Sequence, residues 1–367
     1  MADQAVPMES PLWMVTAEPV LNQFVLDLQR LRTDLLQPDA APRDIYFSAA
    51  TIATVRAAFG NMIRHGEEQL HRLTHLLCDT FDIGFQLMSV VIGEVATTHE
   101  RFTLSQSLAS VDLYSTTDLD LGTRQLNKLR MYDGKEWSTP TLVANVVDYQ
   151  PLVTNGYAIH RLSTRIKAEE EIWNKVVDEI FDLDGIVRQD KQLRHLSRYV
   201  KDVFGIKIVV GTVADVYRLQ QQLVELRWPA EVLGAHQIEA NANTRGLQFV
   251  EVKDYLQRDE HKQSGWEAIK SVVQWRGKTF EIQIQPLHNF LNEREQLTSE
   301  SHLSFKARRE QVRQHVAEQL PLFRFYQDVL RWLFHDPVSA PPIYPGVTIH
   351  LDRSLYGSDA ERNPAII

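Results

Sequence analysis

The sequence predicts an α+β fold: a mixed β-sheet flanked by helices, preceded by a helical N-terminal domain. Three observations point to it. KTFEIQIQP, residues 278–286, alternates strictly, with Phe280, Ile282 and Ile284 on one side and Glu281, Gln283 and Gln285 on the other, which is the period of a strand. From about residue 150 such short runs alternate with amphipathic helical stretches. Before that point apolar residues recur at helical spacing, as Leu21, Phe24, Val25, Leu28 and Leu31 do.

Taken in order, residues 19–37 read as a helix ended by the breaker PDAAPRD, and residues 46–97 read as further helix, two long segments meeting near DTFDIG. Periodicity then fades through a polar stretch in which Asp133-Gly134 marks a turn. YAIHRLSTRI reads as a strand, KAEEEIWNKVVDEIFDL as a helix, GIKIVVGT as a buried β-branched strand and VADVYRLQQQLVELRW as the helix behind it. LQFVEVKDYL, AIKSVVQWRG and KTFEIQIQ complete the sheet, with Arg276, Gly277 and Lys278 turning between the last two. Residues 307–334 read as helix broken at Pro321, before a proline-containing tail. The expected division is a helical domain of unassigned role over 1–145, an α+β domain over 146–310, and C-terminal helices and tail over 311–367.

Composition bounds the class. The 367 residues are 44% hydrophobic and 24% charged, as in ordinary globular chains. Net charge is 39 − 48 = −9, which argues against a general nucleic-acid binder yet allows a local basic groove. A single cysteine, Cys78, precludes an intrachain disulfide and suits a reducing compartment. The N-terminus lacks a signal-peptide pattern, and the most apolar stretch, FQLMSVVIGEVA, is too short to span a bilayer. The expectation is a cytoplasmic protein without a membrane partner.

Charged groups beside apolar strands mark where chemistry belongs. Arg165 and Lys167 project the same way from a strand end, with Lys175 two helical turns on; cations at a strand-to-helix junction suit a polyphosphate, although cations at element ends are more often simply solvated. Asp202 opens a strand that holds Lys207 within its apolar run. An Asp there commonly forms a turn, while a buried lysine demands a partner. VKDYLQRDEHKQSGWEAIK supplies Lys253, Arg258, His261 and Lys262 ahead of Trp266: cations for phosphates and an indole either stacked on a base or folded onto the core. Glu281 is either one solvated carboxylate on a wet strand face or, with Asp202, a holder of Mg²⁺.

In order, these segments resemble the synthetase domain of the RelA/SpoT family, whose blocks are an R-x-K strand end, D-x-x-G-x-R, K-D-Y, K-x-N-G-Y-x-S-x-H and E-x-Q-I-R. Here they stand as R-I-K (165–167), D-V-F-G-I-K (202–207), K-D-Y (253–255), K-Q-S-G-W-E-A-I-K (262–270) and E-I-Q-I-Q (281–285), with H-L-S-F-K (302–306) matching a later block. The match covers roughly residues 150–310. The resemblance implies a nucleotidyltransferase-like synthetase domain that moves pyrophosphate from ATP to the 3′-hydroxyl of GDP or GTP, giving (p)ppGpp and AMP. It also implies Mg²⁺ on Asp202 and Glu281, these two being the catalytic residues. Arg165, Lys167, Lys175 and Lys207 would hold ATP; Lys253, Tyr255, Lys262, Trp266, Gln283 and His302 would hold the acceptor.

The sequence departs from that pattern mostly on the acceptor side. Lys207 replaces arginine, Ser264 asparagine, Trp266 tyrosine, Ala268 serine, Lys270 histidine and Gln285 arginine, and Glu171 stands where serine is common. Toxic small synthetases of this superfamily use adenosine nucleotides or the 3′ end of tRNA, so both are alternative acceptors, and an antitoxin or other regulatory partner and an oligomer are compatible. A different class, an inactive nucleotide-sensing or partner-binding domain, would keep binding without turnover. The His-Asp hydrolase signature of long family members is missing; the one His-Asp pair, His335-Asp336, precedes a proline. His71, His75 and Cys78 share a helix face. With Glu67 or Glu68 they have metal-ligand spacing, but an ordinary buried face is the expected reading.

Overall fold

The computed structural model describes residues 18–37, 43–95, 98, 100–132, 136–153, 156–166, 173, 176–177, 203–257, 266–297, 322–334 and 340–352. The expected helix over 167–183, the turn at Asp133-Gly134, the break at Pro321 and the His335-Asp336 pair lie wholly or mostly outside them. The chain divides into two compact units: residues 1–63, 169–200 and 302–367 in the first, residues 64–168 and 201–301 in the second.

The first unit holds α1 (Pro19–Leu35), β1 (Arg43–Ser48), the start of α2 (Ala49–Thr80), and the C-terminal helix and strand described below. Pro19 opens α1, where its missing N–H costs no hydrogen bond. The residues expected to form the buried stripe of α1, Leu21, Phe24, Val25, Leu28 and Leu31, are the buried ones. Around Trp173 an aromatic cluster forms: Phe334 stacks on it at 4.0 Å, Phe59 at 4.9 Å, and Phe24 meets it edge-on at 6.4 Å.

The second unit is built on one mixed eight-stranded sheet. Its strands are β2 (Phe85–Glu94), β3 (Arg101–Ser107), β4 (Thr141–Pro151), β5 (Ile159–Ile166), β6 (Phe204–Val210), β7 (Gln248–Asp254), β8 (Ile269–Trp275) and β9 (Lys278–Pro286). Their order is β3-β2-β4-β5-β6-β9-β8-β7, and only β6 and β9 pair in parallel. Helix α3 (Asp118–Leu126) packs on β2 and β4, while α4 (Val213–Glu225) and α5 (Leu287–Leu297) pack on β6 and β9. In the first unit, α6 (Phe323–Phe334) and β10 (Val347–Asp352) complete the described elements, β10 pairing in parallel with β1.

The α+β class and the mixed sheet are as the sequence predicts, and strands and turns from 157 to 286 fall where expected. At the β8–β9 turn Arg276 and Gly277 have φ of 50° and 71°; two successive positive values suit a tight right-twisted hairpin. One expectation is corrected. Residues 46–97 are not helical throughout: α2 stops at Thr80 and 85–94 is strand β2. Leu87, Ser89 and Val91 are buried on one face and Met88, Val90 and Ile92 half-buried on the other. With apolar residues on both faces the alternation that would betray a strand is erased.

Candidate functional site

The site grows from strand register. Directly paired residues share a face, and β9 lies between β6 and β8. One row across the sheet runs Arg165, Gly205, Glu281, Val272, Glu251; the next runs Ser163, Lys207, Gln283, Lys270, Lys253. Five strands therefore present a polar face on which every strand carries charge or amide. The opposite face, with Ile206, Ile208, Phe280, Ile282 and Ile284, is buried. Helix α4 packs there, and Ser271 Oγ donates to Gln220 Oε1 at 3.2 Å.

Glu281 is the centre of the polar face and is 1% exposed, so the reading of it as a solvated carboxylate fails. Lys270 Nζ forms an ion pair with its Oε2, Arg165 Nη2 lies 3.6 Å from its Oε1, and Gln283 Nε2 donates to Oε1. Gly205 makes the Arg165 contact geometrically available. It separates the two residues in the row, and a Cβ there would meet Arg165 Cγ and Nε at 3.3 Å. The glycine of D-V-F-G-I-K thus leaves the channel through which the arginine side chain crosses β6.

Lys207 has the partner its place in an apolar strand demands. Its ammonium lies 3.0 Å from Glu293 Oε2 on α5 and 5.9 Å from the Phe290 ring centre. Burial pulls the Lys207 ammonium below its ordinary range, with Arg165 and Arg161 adding to that, against the opposing charge of Glu293. Burial by itself would raise the Glu293 carboxyl, but Lys207 and a hydrogen bond from Gln285 outweigh it and hold it low. Gln285, where the resembled motif has arginine, is wholly buried and donates from Nε2 to Asn289 Oδ1 at 2.6 Å and to Glu293 Oε2 at 3.1 Å.

At the sheet edge Lys253 Nζ lies 2.8 Å from Glu251 Oε1. Tyr255 and Trp266 meet edge-to-face with ring centres 5.4 Å apart, both half-buried. The structure thus gathers Arg165, Lys207, Lys253, Gln283 and Glu281 on one face, with Tyr255 and Trp266 beyond its edge. Asp202, Lys167, Lys175, Lys262 and His302 lie outside the described residues. Sequence reading missed Lys270 and Gly205 as working parts. Lys270 is opposite Lys253 and Gln283, and alternation within AIKSVVQW already put it on the side opposite to Ile269.

The other histidine cluster resolves differently. Cys78 is buried and its thiol is pushed up by burial, while His75 Nδ1 lies 3.0 Å from Tyr114 Oη and its ring stacks on Phe85 at 5.4 Å. No helix among the described residues is long and apolar enough to cross a membrane.

No family model and no curated protein matches the chain. Among solved structures it is similar to small alarmone synthetase 1 from Bacillus subtilis bound to its product pppGpp, at 21% identity and TM-score 0.25 over 41% of this chain and 64% of that one. A second structure of small alarmone synthetase 1 from Bacillus subtilis gives 19% identity and TM-score 0.25 over 49% of this chain and 78% of that chain. A protein from Streptococcus mutans gives 16% identity and TM-score 0.23 over 49% and 76%. The chain thus spans a little under two thirds of the first of these structures.

Proposed function

We propose that residues 146–310 form an ATP-dependent nucleotide pyrophosphokinase that makes (p)ppGpp from GDP or GTP. The observation that carries this reading is the meeting of three motif segments on one face: Arg165 of R-I-K crosses Gly205 of D-V-F-G-I-K to reach the buried Glu281 of E-I-Q-I-Q. An ordinary wet strand has no reason to bury its carboxylate beneath two cations.

In this reaction the acceptor 3′-oxygen attacks the β-phosphorus of ATP. The bond between that phosphorus and the α–β bridging oxygen breaks, AMP leaves with the oxygen, and the hydroxyl proton passes to a base. Arg165 and Lys207, with Lys167 and Lys175, bind ATP phosphates; Lys253, Lys262, Tyr255, Trp266, Gln283 and His302 bind the acceptor. Glu281 either draws the hydroxyl proton or shares Mg²⁺ with Asp202. Glu281 has the carboxylate chemistry Mg²⁺ takes, but Lys270 and Arg165 now stand at its two oxygens and would have to turn away for it to hold the ion. Mg²⁺ would neutralise charge developing on the phosphates. Catalysis in such a site is positioning and charge neutralisation.

Incubating purified protein with labelled ATP and GDP, GTP, ADP, ATP or tRNA tests this. Pyrophosphate should appear on a guanosine nucleotide, and Asp202→Ala and Glu281→Ala should abolish it; no labelled acceptor, or variants equal to wild type, ends the reading. The wholly buried Gln285, turned into the α5 network, favours a second reading in which the acceptor is an adenosine nucleotide or a tRNA 3′ end. Label on those arms alone would establish it. The Lys270–Glu281 ion pair favours the other class, a nucleotide-binding domain without turnover, for which binding is measured and no arm gains label.

A further inference from the structure

Away from the polar face, α2, α3 and β4 bring Glu67, His71 and Asp118 together inside the second unit. They are 2%, 0% and 1% exposed, and one donor atom of each lies within 4.8 Å of the others. Glu67 and His71 stand one helical turn apart on α2, so both project to the same side. Asp118 is the first residue of α3. His71 Nε2 lies 3.2 Å from Asp118 Oδ1, and Nδ1 lies 2.9 Å from Tyr149 Oη. The Asp118 backbone N–H donates to Glu67 Oε1, and Asn145 Nδ2 donates to the Asp118 carbonyl at 2.6 Å.

After these bonds, no donor faces Glu67 Oε2 or Asp118 Oδ2, and the two carboxyl side chains lie within hydrogen-bonding reach of each other. Buried acceptors left unpaired are costly, and two carboxylates in one dry pocket repel each other. Neither belongs to the polar face described above, and a carboxylate oxygen of each residue lies within 4.8 Å of a ring nitrogen of His71.

We propose that Glu67, His71 and Asp118 form a buried three-ligand site for one divalent transition-metal ion, Zn²⁺ being one that accepts both imidazole and carboxylate ligands. Glu67 Oε2, Asp118 Oδ2 and His71 Nε2 are the ligand atoms, and Tyr149 holds Nδ1 so that Nε2 keeps its lone pair for the ion. A dication offsets the two carboxylate charges and gives both orphaned oxygens a partner. The site clamps α3 and β4 to α2, and it stands whether or not the pyrophosphokinase reading does.

The test uses the full chain incubated with excess Zn²⁺, desalted into metal-free buffer and assayed for metal by mass spectrometry. Wild type should retain ~1 ion per chain, and Glu67→Gln and Asp118→Asn close to none. Tyr149→Phe should weaken retention roughly 10-fold. The rival account is a proton shared between the two carboxyls. It predicts no retained metal in wild type, or equal retention in all variants, and a Glu67→Gln protein as stable as wild type; any of these metal results overturns the site. If the variants do not fold, Co²⁺ added to wild type decides. Intense visible bands displaced by Zn²⁺ support the site, and their absence overturns it.

Discussion

At the scale of single residues, Gly205 shows how a motif position becomes physical. The glycine needs no unusual φ; its use is the missing Cβ, which lets the Arg165 guanidinium lie across β6 toward Glu281. Gly205→Ala tests this, because the one added Cβ meets the Arg165 side chain while alanine's smaller backbone freedom favours the folded strand. The expected result is a melting temperature at or above wild type with the KM for ATP raised about 10-fold or more. Unchanged ATP kinetics would show that the arginine's path does not matter. His75 allows a second residue-scale test. Burial, then the neighbouring charges of His71 and His236, lower its imidazole from 6.5 to about 4; Asp79 opposes this and Arg72 adds to it, with Tyr114 and Tyr149 the other titratable faces on the ring. The folded state therefore binds fewer protons than the unfolded one between these values, and stability falls as pH drops from about 6.5 to 4. In denaturant titrations His75→Phe should lose less stability than wild type over that window, by up to about 3 kcal/mol; parallel pH profiles would refute it.

At the scale of elements, α5 is fastened to the sheet by polar contacts: Lys207 to Glu293, and Gln285 to Asn289 and Glu293. Glu293→Ala leaves a half-buried ammonium without its countercharge. Discounted for the partial exposure of both groups, the expected loss is about 1–2 kcal/mol, read by urea denaturation. Lys207→Met in the same background should recover part of it, because the stranded charge is then gone. Because Glu293 is held below the usual carboxylate range, its contribution is present at neutral pH and disappears as pH falls through that lowered value. Element legibility followed a simple physical divide. Strands with one polar face, such as β9, and helices with one apolar stripe, such as α1, declared themselves in the sequence. Strand β2 did not, because burial on one face and half-burial on the other left FQLMSVVIGE apolar on both sides. For the same reason Lys207 and Glu281 were legible as oddities in their strands, whereas the partners that explain them, Glu293 and Lys270, were fixed by pairing and packing that no local pattern encodes.

At the scale of the molecule, charge is distributed by pairing rather than by excess. The chain carries a net −9, yet the polar face gathers Arg161, Arg165, Lys207, Lys253 and Lys270, each beside a carboxylate: Asp148, Glu281, Glu293, Glu251 and Glu281 in turn. A face whose five cations already stand beside four carboxylates attracts a bare polyphosphate weakly, because phosphate contacts must displace carboxylates from their cations. A nucleotide arriving with a divalent ion avoids this conflict. Glu281 would be a carboxylate ligand for that ion, and Lys270 and Arg165, now beside its two oxygens, would then be able to turn to the phosphates. The expected outcome is that ATP binds at least roughly 10-fold more tightly with Mg²⁺ than in EDTA by calorimetry, a ratio that shrinks in Glu281→Gln, where there is no carboxylate to exchange. That variant should also bind metal-free ATP more tightly than wild type does, since Lys270 and Arg165 are then unpaired from Glu281. Equal affinity for ATP with and without the ion in wild type would mean that the paired face does not bind nucleotide by exchanging partners, and would remove the physical basis for placing the metal at Glu281.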